Sequence, residues 1–372
     1  MNGFNLHRAY AVARKEVMHV LRDPFTLTLA LGLPVLLVTF FGYAIDFEVK
    51  TVALSVSDRD GGPAARRLRE IFSSSGYFLP AAPVQGVSLV AMLDSGRAAA
   101  ALYIEPDFSR KVNGGTPVSA QLLLDGSDNS KGAAVLGYLP GMQAAAIARL
   151  TGQPPRAPIS EETRFLYNPE LNSRWFTVPG LAAIIIGLLA ILLTALTVAR
   201  EWENGSMELL LATPVRPLEI MAGKLVPYGV LVLAGVFFVY LVSRLVFGVP
   251  FAGSHLLYLL ACLLYITAAL SQGLVISVIT RQQQVAMQVG IISGLLPSLL
   301  LSGFIFPVES MPAFFRYFTM ILPPRWFVAA ARGIILKGAT LRELAVPFLA
   351  LGLLSAGMLA LALKKFKTDL EP

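Results

Sequence analysis

The stretch VAREWENGSMELLLATPVRPLEIMAGK, residues 198–224, interrupts a chain that is otherwise strongly apolar on both sides of it. More than twenty nearly uncharged residues precede it, and another apolar run follows. A membrane-crossing helix needs roughly 20 apolar residues to match a hydrocarbon core of about 30 Å. The stretch therefore reads as a short polar link between two spans, and the rest of the chain falls into register around it.

Six runs qualify as spans: 25–44, 176–199, 225–247, 256–280, 285–306 and 345–363. Composition agrees, because 55% of residues are hydrophobic and 14% charged, against roughly 25% charged in soluble domains. Mean hydropathy is +0.67. The expected class is a polytopic α-helical membrane protein with six transmembrane helices. A basic segment followed by an apolar run ending in GYA at Gly42–Tyr43–Ala44 also resembles a signal peptide. Cleaved apolar cores are usually about 7–15 residues, and this one is longer and contains Pro34, so it is expected to stay as the first span.

Basic residues flanking spans set orientation. Arg8, Arg14, Lys15 and Arg22 precede the first span, and Lys364, Lys365 and Lys367 follow the last, so both termini are expected in the cytoplasm. The segment 307–342 pulls the other way, since it carries Arg316, Arg325, Arg332, Lys337 and Arg342 on the outer side. Residues 1–24 form an amphipathic helix. At 100° per residue Leu6, Tyr10, Ala13, Val17, Val20 and Leu21 share one face, with Arg8, Lys15, His19 and Arg22 opposite. Such a helix lies at the membrane surface, as a lipid anchor or as a shelf for a cytoplasmic partner.

Residues 46–175 form one large extracytoplasmic insertion between the first two spans. Its thirteen basic and thirteen acidic residues cancel, which excludes a basic nucleic-acid surface. KTVALSVSD, AAALYIEPDF and PVSAQLLLDGSDN read as strands, while GPAARRLREIFSSSG and KGAAVLGYLPGMQAAAIARLTG read as helices, the first stopping at Gly76. An α/β domain is expected, returning to the membrane through TGQPPRAPIS. The single cysteine, Cys262, lies in the fourth span, so no disulfide is expected.

No catalytic or metal-binding constellation is legible. His7, His19 and His255 are scattered, without metal-ligand spacing. The AGKL sequence at 222–225 lacks the Ser/Thr and the preceding strand of a phosphate-binding loop, so any nucleotide energy comes from another polypeptide. Within the proposed spans only Arg244 is ionisable, and it is expected to snorkel to the interface. Acidic or histidine relays of the kind that drive ion-coupled transport are missing from the spans.

The interrupting stretch itself is acidic in front, with Glu201, Glu203 and Glu208, and apolar along Trp202, Met207, Leu209, Leu210 and Leu211. Gly205–Ser206 bends it and Thr213–Pro214–Val215–Arg216–Pro217 ends it. Acids beside anionic headgroups are poorly placed, which points to a basic protein partner.

RFLYNPELNSRWFTVPGL at 164–181 and AREWENGSMELLLATPVRPLEIMAGKLVPY at 199–228, with LPPRWFVAAARGIILKGA near the end, resemble the membrane subunits of type-2 ABC transporters with a large extracytoplasmic domain after the first span. The resemblance covers essentially the whole chain. It departs in Arg-Glu-Trp-Glu-Asn-Gly-Ser, where the family pattern is more basic.

The resemblance implies an ABC exporter permease, of the type-2 exporter fold, in the inner membrane of a bacterial cell. It would move a drug, lipid or other amphipathic cargo outward. ATP and Mg would be bound by separate ATPase subunits and no cofactor by this chain. Residues 200–213 would be the coupling helix seated in the ATPase, with Glu201, Trp202, Glu203, Gly205, Met207 and Glu208 as contacts. Glu201 and Glu203 would pair with basic groups there. A second permease would complete the transporter, with a periplasmic adaptor as a further candidate partner. Gly290, Gly294, Ser298 and Gly303 in the fifth span would line the path or the dimer contact, and 307–342 would form re-entrant outer helices. The rival reading is a membrane receptor that relays a signal from an extracytoplasmic ligand domain.

Overall fold

A computed structural model describes residues 4–44, 51–81, 88–125, 129–152, 167–168 and 172–366. TGQPPRAPIS lies almost wholly outside the described residues. The chain divides into two compact units, Met1–Asp46 with Phe165–Pro372, and Phe47–Arg164.

The first unit begins with α1, Leu6–Arg22, whose N-cap Asn5 accepts a hydrogen bond from the His7 N–H at 3.0 Å. Its buried stripe is Ala9, Val12, Glu16 and Val20. It shares only Val20 with the apolar face read from the sequence, of which Leu6, Tyr10, Val17 and Leu21 are exposed. The long apolar side chains face away from the protein, and Ala9, Val12, Val20 and one acid, Glu16, hold the helix to it. After it, α2 (Pro24–Leu27), a π turn (Thr28–Gly32) and α3 (Leu33–Ala44) run on as the first apolar helix. The π turn lies just ahead of Pro34, whose missing N–H removes the usual bond to residue 30.

In the second unit the order is β1 (Val52–Asp58), α4 (Pro63–Ser74), β2 (Phe78–Pro80), α5 (Leu89–Asp94), β3 (Ala100–Ile104), α6 (Phe108–Asn113), β4 (Ala120–Leu124) and α7 (Asn129–Thr151). The sheet order is β2-β1-β3-β4, with β1 parallel to both β2 and β3 and β4 antiparallel to β3. Val52, Leu54, Leu68, Phe72, Phe78, Leu102, Ile104 and Phe108 form its core. The expected α/β domain is present, with three short elements, β2, α5 and α6, that the sequence pattern did not single out.

The first unit resumes with α8 (Ser173–Glu203), α9 (Ser206–Leu211), α10 (Pro217–Leu245), α11 (His255–Thr280), α12 (Gln283–Leu300), α13 (Ala313–Phe318), α14 (Pro323–Lys337) and α15 (Ala345–Lys365). Among the described residues five helices, α8, α10, α11, α12 and α15, are long and apolar enough to cross a membrane, and Thr28–Ala44 is a shorter apolar helix. These helices fall on the expected apolar runs with shifted ends: α8 runs on to Glu203, α10 starts at Pro217, and α12 stops at Leu300, short of the expected 306, so Gly303 lies beyond the helix.

The axis of this unit is α8, buried along most of its length. Polar bonds that need no water fix it to α11, as a low-dielectric interior requires. Tyr265 donates to the Ala183 carbonyl at 2.9 Å, Thr194 to the Leu270 carbonyl at 2.8 Å, and Ser277 Oγ accepts from the Ala199 N–H at 2.8 Å. At one end of the bundle lie the end of α8, α9, the start of α10 and the end of α15, sharing a cluster of Val198, Met207, Ile220, Met221, Leu274, Ala362 and Phe366. At the other end α12 stops at Leu300, and the chain turns at Gly303 into the short helices.

Candidate functional site

The link between α8 and α10 is tighter than a loop. The Asn204 N–H bonds the Arg200 carbonyl at 3.0 Å and the Gly205 N–H bonds the Trp202 carbonyl at 3.1 Å, closing α8. Gly205 has φ of +68°, a left-handed conformation that favours glycine. One residue later α9 begins, so the acidic front half of the expected coupling helix 200–213 is the last turn of α8, and only its back half is a separate helix.

The two halves face differently. Met207 is buried in the shared cluster, where it anchors α9 to its own chain. Glu208 and Leu209 point outward, Leu209 with 73% of its surface exposed. Trp202 is half-buried and lies under the Arg281 guanidinium at 4.4 Å. Glu203 is exposed but engaged, accepting from the backbone N–H and the side-chain amide of Gln283.

Glu201 is the largest departure from expectation. Its carboxylate is turned inward and nearly covered, 2.6 Å from Lys15 Nζ and 2.9 Å from Lys224 Nζ. The contact to Lys15 is a hydrogen bond, whereas Oε2 meets Lys224 as an ion pair outside hydrogen-bond geometry. Glu201 is therefore neutralised by its own chain and offers no free carboxylate, which corrects the expected pairing with an external basic group. Lys224, 1% exposed, also bonds Glu16 Oε1 at 2.8 Å, and Tyr228 donates to Glu16 Oε2 at 3.2 Å. Two cations and two anions thus balance among α1, α8 and α10. Burial opposes the charge on Lys15, but the hydrogen bond and the charge of Glu201 outweigh it and hold the ammonium above its ordinary range.

The approach of α1 to α10 needs Gly223, because a Cβ there would fall 2.6 Å from Val12 Cβ and 2.9 Å from the Ala9 carbonyl oxygen. At the start of α10, Glu219 accepts from the Arg216 N–H at 2.9 Å and from the Asn5 N–H at 2.8 Å. Arg8 donates to the Pro214 carbonyl. Sequence reasoning missed Glu16, Glu219 and Lys224. A signal was present in Pro217 followed by Glu219, a helix start that places Lys224 two turns inside α10.

The small residues of α12 are also used within the chain. Gly290 and Gly294 face Leu188, Ile191 and Leu192 of α8, where a Cβ on Gly294 would come 2.9 Å from Ile191 Cδ1. Ser298 is buried on the same stripe and its carbonyl accepts from Ser302. Gly303, with φ of +82°, turns the chain and bonds Arg332 through its carbonyl. The exposed side of α12 is a different one, carrying Val285, Ile292, Leu296 and Leu300. Among the described residues no group of three His, Cys, Asp or Glu side chains could hold a metal ion.

Residues 24–364 match the family described as ABC-2 family transporter protein. The chain belongs to the ABC-2 transporter family. It is 34% identical over 337 residues to the probable multidrug ABC transporter permease YbhS of Escherichia coli K12, covering 89% of each chain. It is 31% identical over 338 residues to the probable multidrug ABC transporter permease YbhR of the same strain, covering 90% of this chain and 91% of YbhR. A third relative, the inner membrane transport permease YhhJ of E. coli K12, is 31% identical over 373 residues, covering 98% of each. This ABC-2 chain is a permease, the membrane subunit of an ABC exporter, and is not itself the ATPase; in the family ATP use falls to a partner subunit. It is a multi-pass membrane protein.

Proposed function

We propose that this permease exports amphipathic compounds, of the kind the relatives' multidrug names suggest, with its α8–α9 turn docked on a cytoplasmic ATPase. The observation that carries this reading is the inward-facing charge cluster. It makes α1, the end of α8 and the start of α10 one unit, from which Glu208 and Leu209 of α9 project.

A displacement delivered to α9 then reaches three membrane-associated helices at once, as rigid-body coupling requires. Within the expected contact set the roles divide. Glu201 and Met207 hold α9 to its own subunit, Gly205 sets the turn, and Glu208 with the Trp202–Glu203 edge meets the ATPase. The basic residues at this end, Arg14, Lys15, Arg22, Lys364 and Lys365, support a cytoplasmic location for both termini. The exposed apolar side of α12 supports a second permease packed against it, as a homodimer or with a similar subunit. A periplasmic adaptor would engage residues 47–164.

The test is co-purification with a P-loop ATPase, followed by ATP hydrolysis in lipid vesicles. The permease is expected to retain the ATPase and to make its turnover respond to amphipathic cargo. An ATPase that neither co-purifies nor changes its rate with the permease present would overturn the reading.

A further inference from the structure

At the end of the bundle opposite the charge cluster lies a cavity of about 790 Å³, between the start of α8, the chain after α12, and α14. That volume is in the range of small-molecule sites, roughly 300–1,000 Å³. Its walls combine Phe176, Trp326, Leu336 and Leu344 with three cations, Arg325, Arg332 and Lys337.

Arg332 carries the case. Its guanidinium lies 3.6 Å from the Phe176 ring centre, and Gly180 leaves room chiefly for the Phe304 ring, which a Cβ there would overlap, and beside it for Nη2 at 3.1 Å. Nη1 donates to the Gly303 carbonyl at 2.9 Å and Nη2 to the Phe304 carbonyl at 3.2 Å. Those bonds hold the turn after α12 in place, but carbonyls do not cancel a charge. A guanidinium has five N–H donors, and here Nε is buried with no partner. No ion pair among the described residues joins Arg332 to a carboxylate. A half-buried cation held against a ring, with no counter-ion among the described residues, calls for an anion.

The other charges of the cavity do not supply one. Glu343 is turned to Thr340, accepting from its N–H at 2.7 Å and its hydroxyl at 3.0 Å. Glu309 acts on Arg325, which also donates to the Arg316 carbonyl at 2.7 Å and stacks on Trp326 at 4.8 Å. Lys337 lies 6.0 Å from the Tyr167 ring centre with no ion pair of its own among the described residues. Among the described residues the balance left for a ligand is cationic, and the wall is aromatic and aliphatic.

We infer that this cavity is a binding site for an anionic amphiphile, a molecule with a carboxylate, sulfate or phosphate head on Arg332 and Lys337 and an apolar body against Phe176 and Trp326. The inference rests on the exporter reading for its meaning, since it gives the cargo a charge on the exit side of the path. The binding itself needs no ATPase.

The permease in nanodiscs of zwitterionic phosphatidylcholine is titrated with dansyl-labelled undecanoic acid and with its methyl ester, which differ only in the head. The acid is expected to bind saturably and about ten-fold more tightly than the ester. Arg332→Gln should remove most of that difference. Lys337→Gln leaves the Gly303 and Phe304 bonds intact and should weaken the acid about three-fold while leaving the ester unchanged. Equal binding of acid and ester, or an advantage of the acid that survives both substitutions, would overturn the inference. Nanodiscs of phosphatidylglycerol separate the two sources of the head group: loss of acid binding identifies a lipid as the occupant, and persistence identifies a free amphiphile. Failure here leaves the ATPase co-purification untouched, so the two readings fail separately.

Discussion

Lys224 is the residue on which the α8–α10 end of the bundle turns, because it touches the acids of two other helices while almost fully removed from solvent. A buried ion pair adds little over a well-packed apolar core, but removing one partner leaves a charge stranded at a cost of about 3–5 kcal/mol. Lys224→Met is therefore expected to lower the thermal midpoint of the purified protein in detergent sharply. The double variant Lys224→Met with Glu16→Gln should recover much of the loss, since the two sites share one interaction. Additive losses in that cycle would show that Lys224 and Glu16 are not coupled. Neither residue was legible as a pair. Glu16 sits between Lys15 and Val17 on a helix whose obvious apolar stripe lies elsewhere, and Lys224 is seven residues past an apparent loop that ends at Pro217. Only the contact of α1 with α10, more than two hundred residues apart in sequence, brings them together.

Between elements, close approach and capping decide the geometry. Gly223→Leu should push α1 away from α10, since its side chain would occupy the place of Val12. Faster amide exchange across Leu6–Arg22 would report it, and unchanged exchange would mean that α1 is held by other contacts. In the inserted domain α4 takes its cap from another helix: Ser109 Oγ accepts from the Ala64 N–H at 3.1 Å and donates to Asp60. Ser109→Ala should cost about 0.5–2 kcal/mol, as for other lost N-caps. The Ser109 hydrogen bond, with help from the Ser109 and Gly62 N–H groups against the opposing effect of burial, holds the Asp60 carboxyl below its ordinary value. A depressed carboxyl stabilises the fold above its unfolded pKa of about 3.9, and that contribution fades as pH falls through the lower folded value. NMR titration of residues 47–164 should find Asp60 low in the parent and moved toward the ordinary range in Ser109→Ala. Here β1, β3, β4, α4 and α7 were legible from period and turn residues, while β2 was not, because three residues with a proline carry no alternation to read.

For the molecule as a whole, the span pattern was legible because apolar length is dictated by the bilayer rather than by tertiary contacts. The direction in which each side chain of the polar link faces was not, since Glu201 and Glu208 are chemically alike in the sequence and differ only in what α1 and α10 place beside them. The outward pair Glu208 and Leu209 is thus the sharpest handle on the proposed coupling, and Glu201 the internal control. The most direct measurement is recovery of the ATPase with tagged permease, and its ATP turnover in vesicles, for Glu208→Arg with Leu209→Asp. With the variant folded to the parent's thermal midpoint, loss of at least ten-fold in both recovery and stimulated turnover is expected, since charge reversal at a small protein contact commonly removes more than about 1.4 kcal/mol. Parent-level recovery and turnover in that folded variant would contradict the assignment of the α8–α9 turn as the place where the ATPase docks.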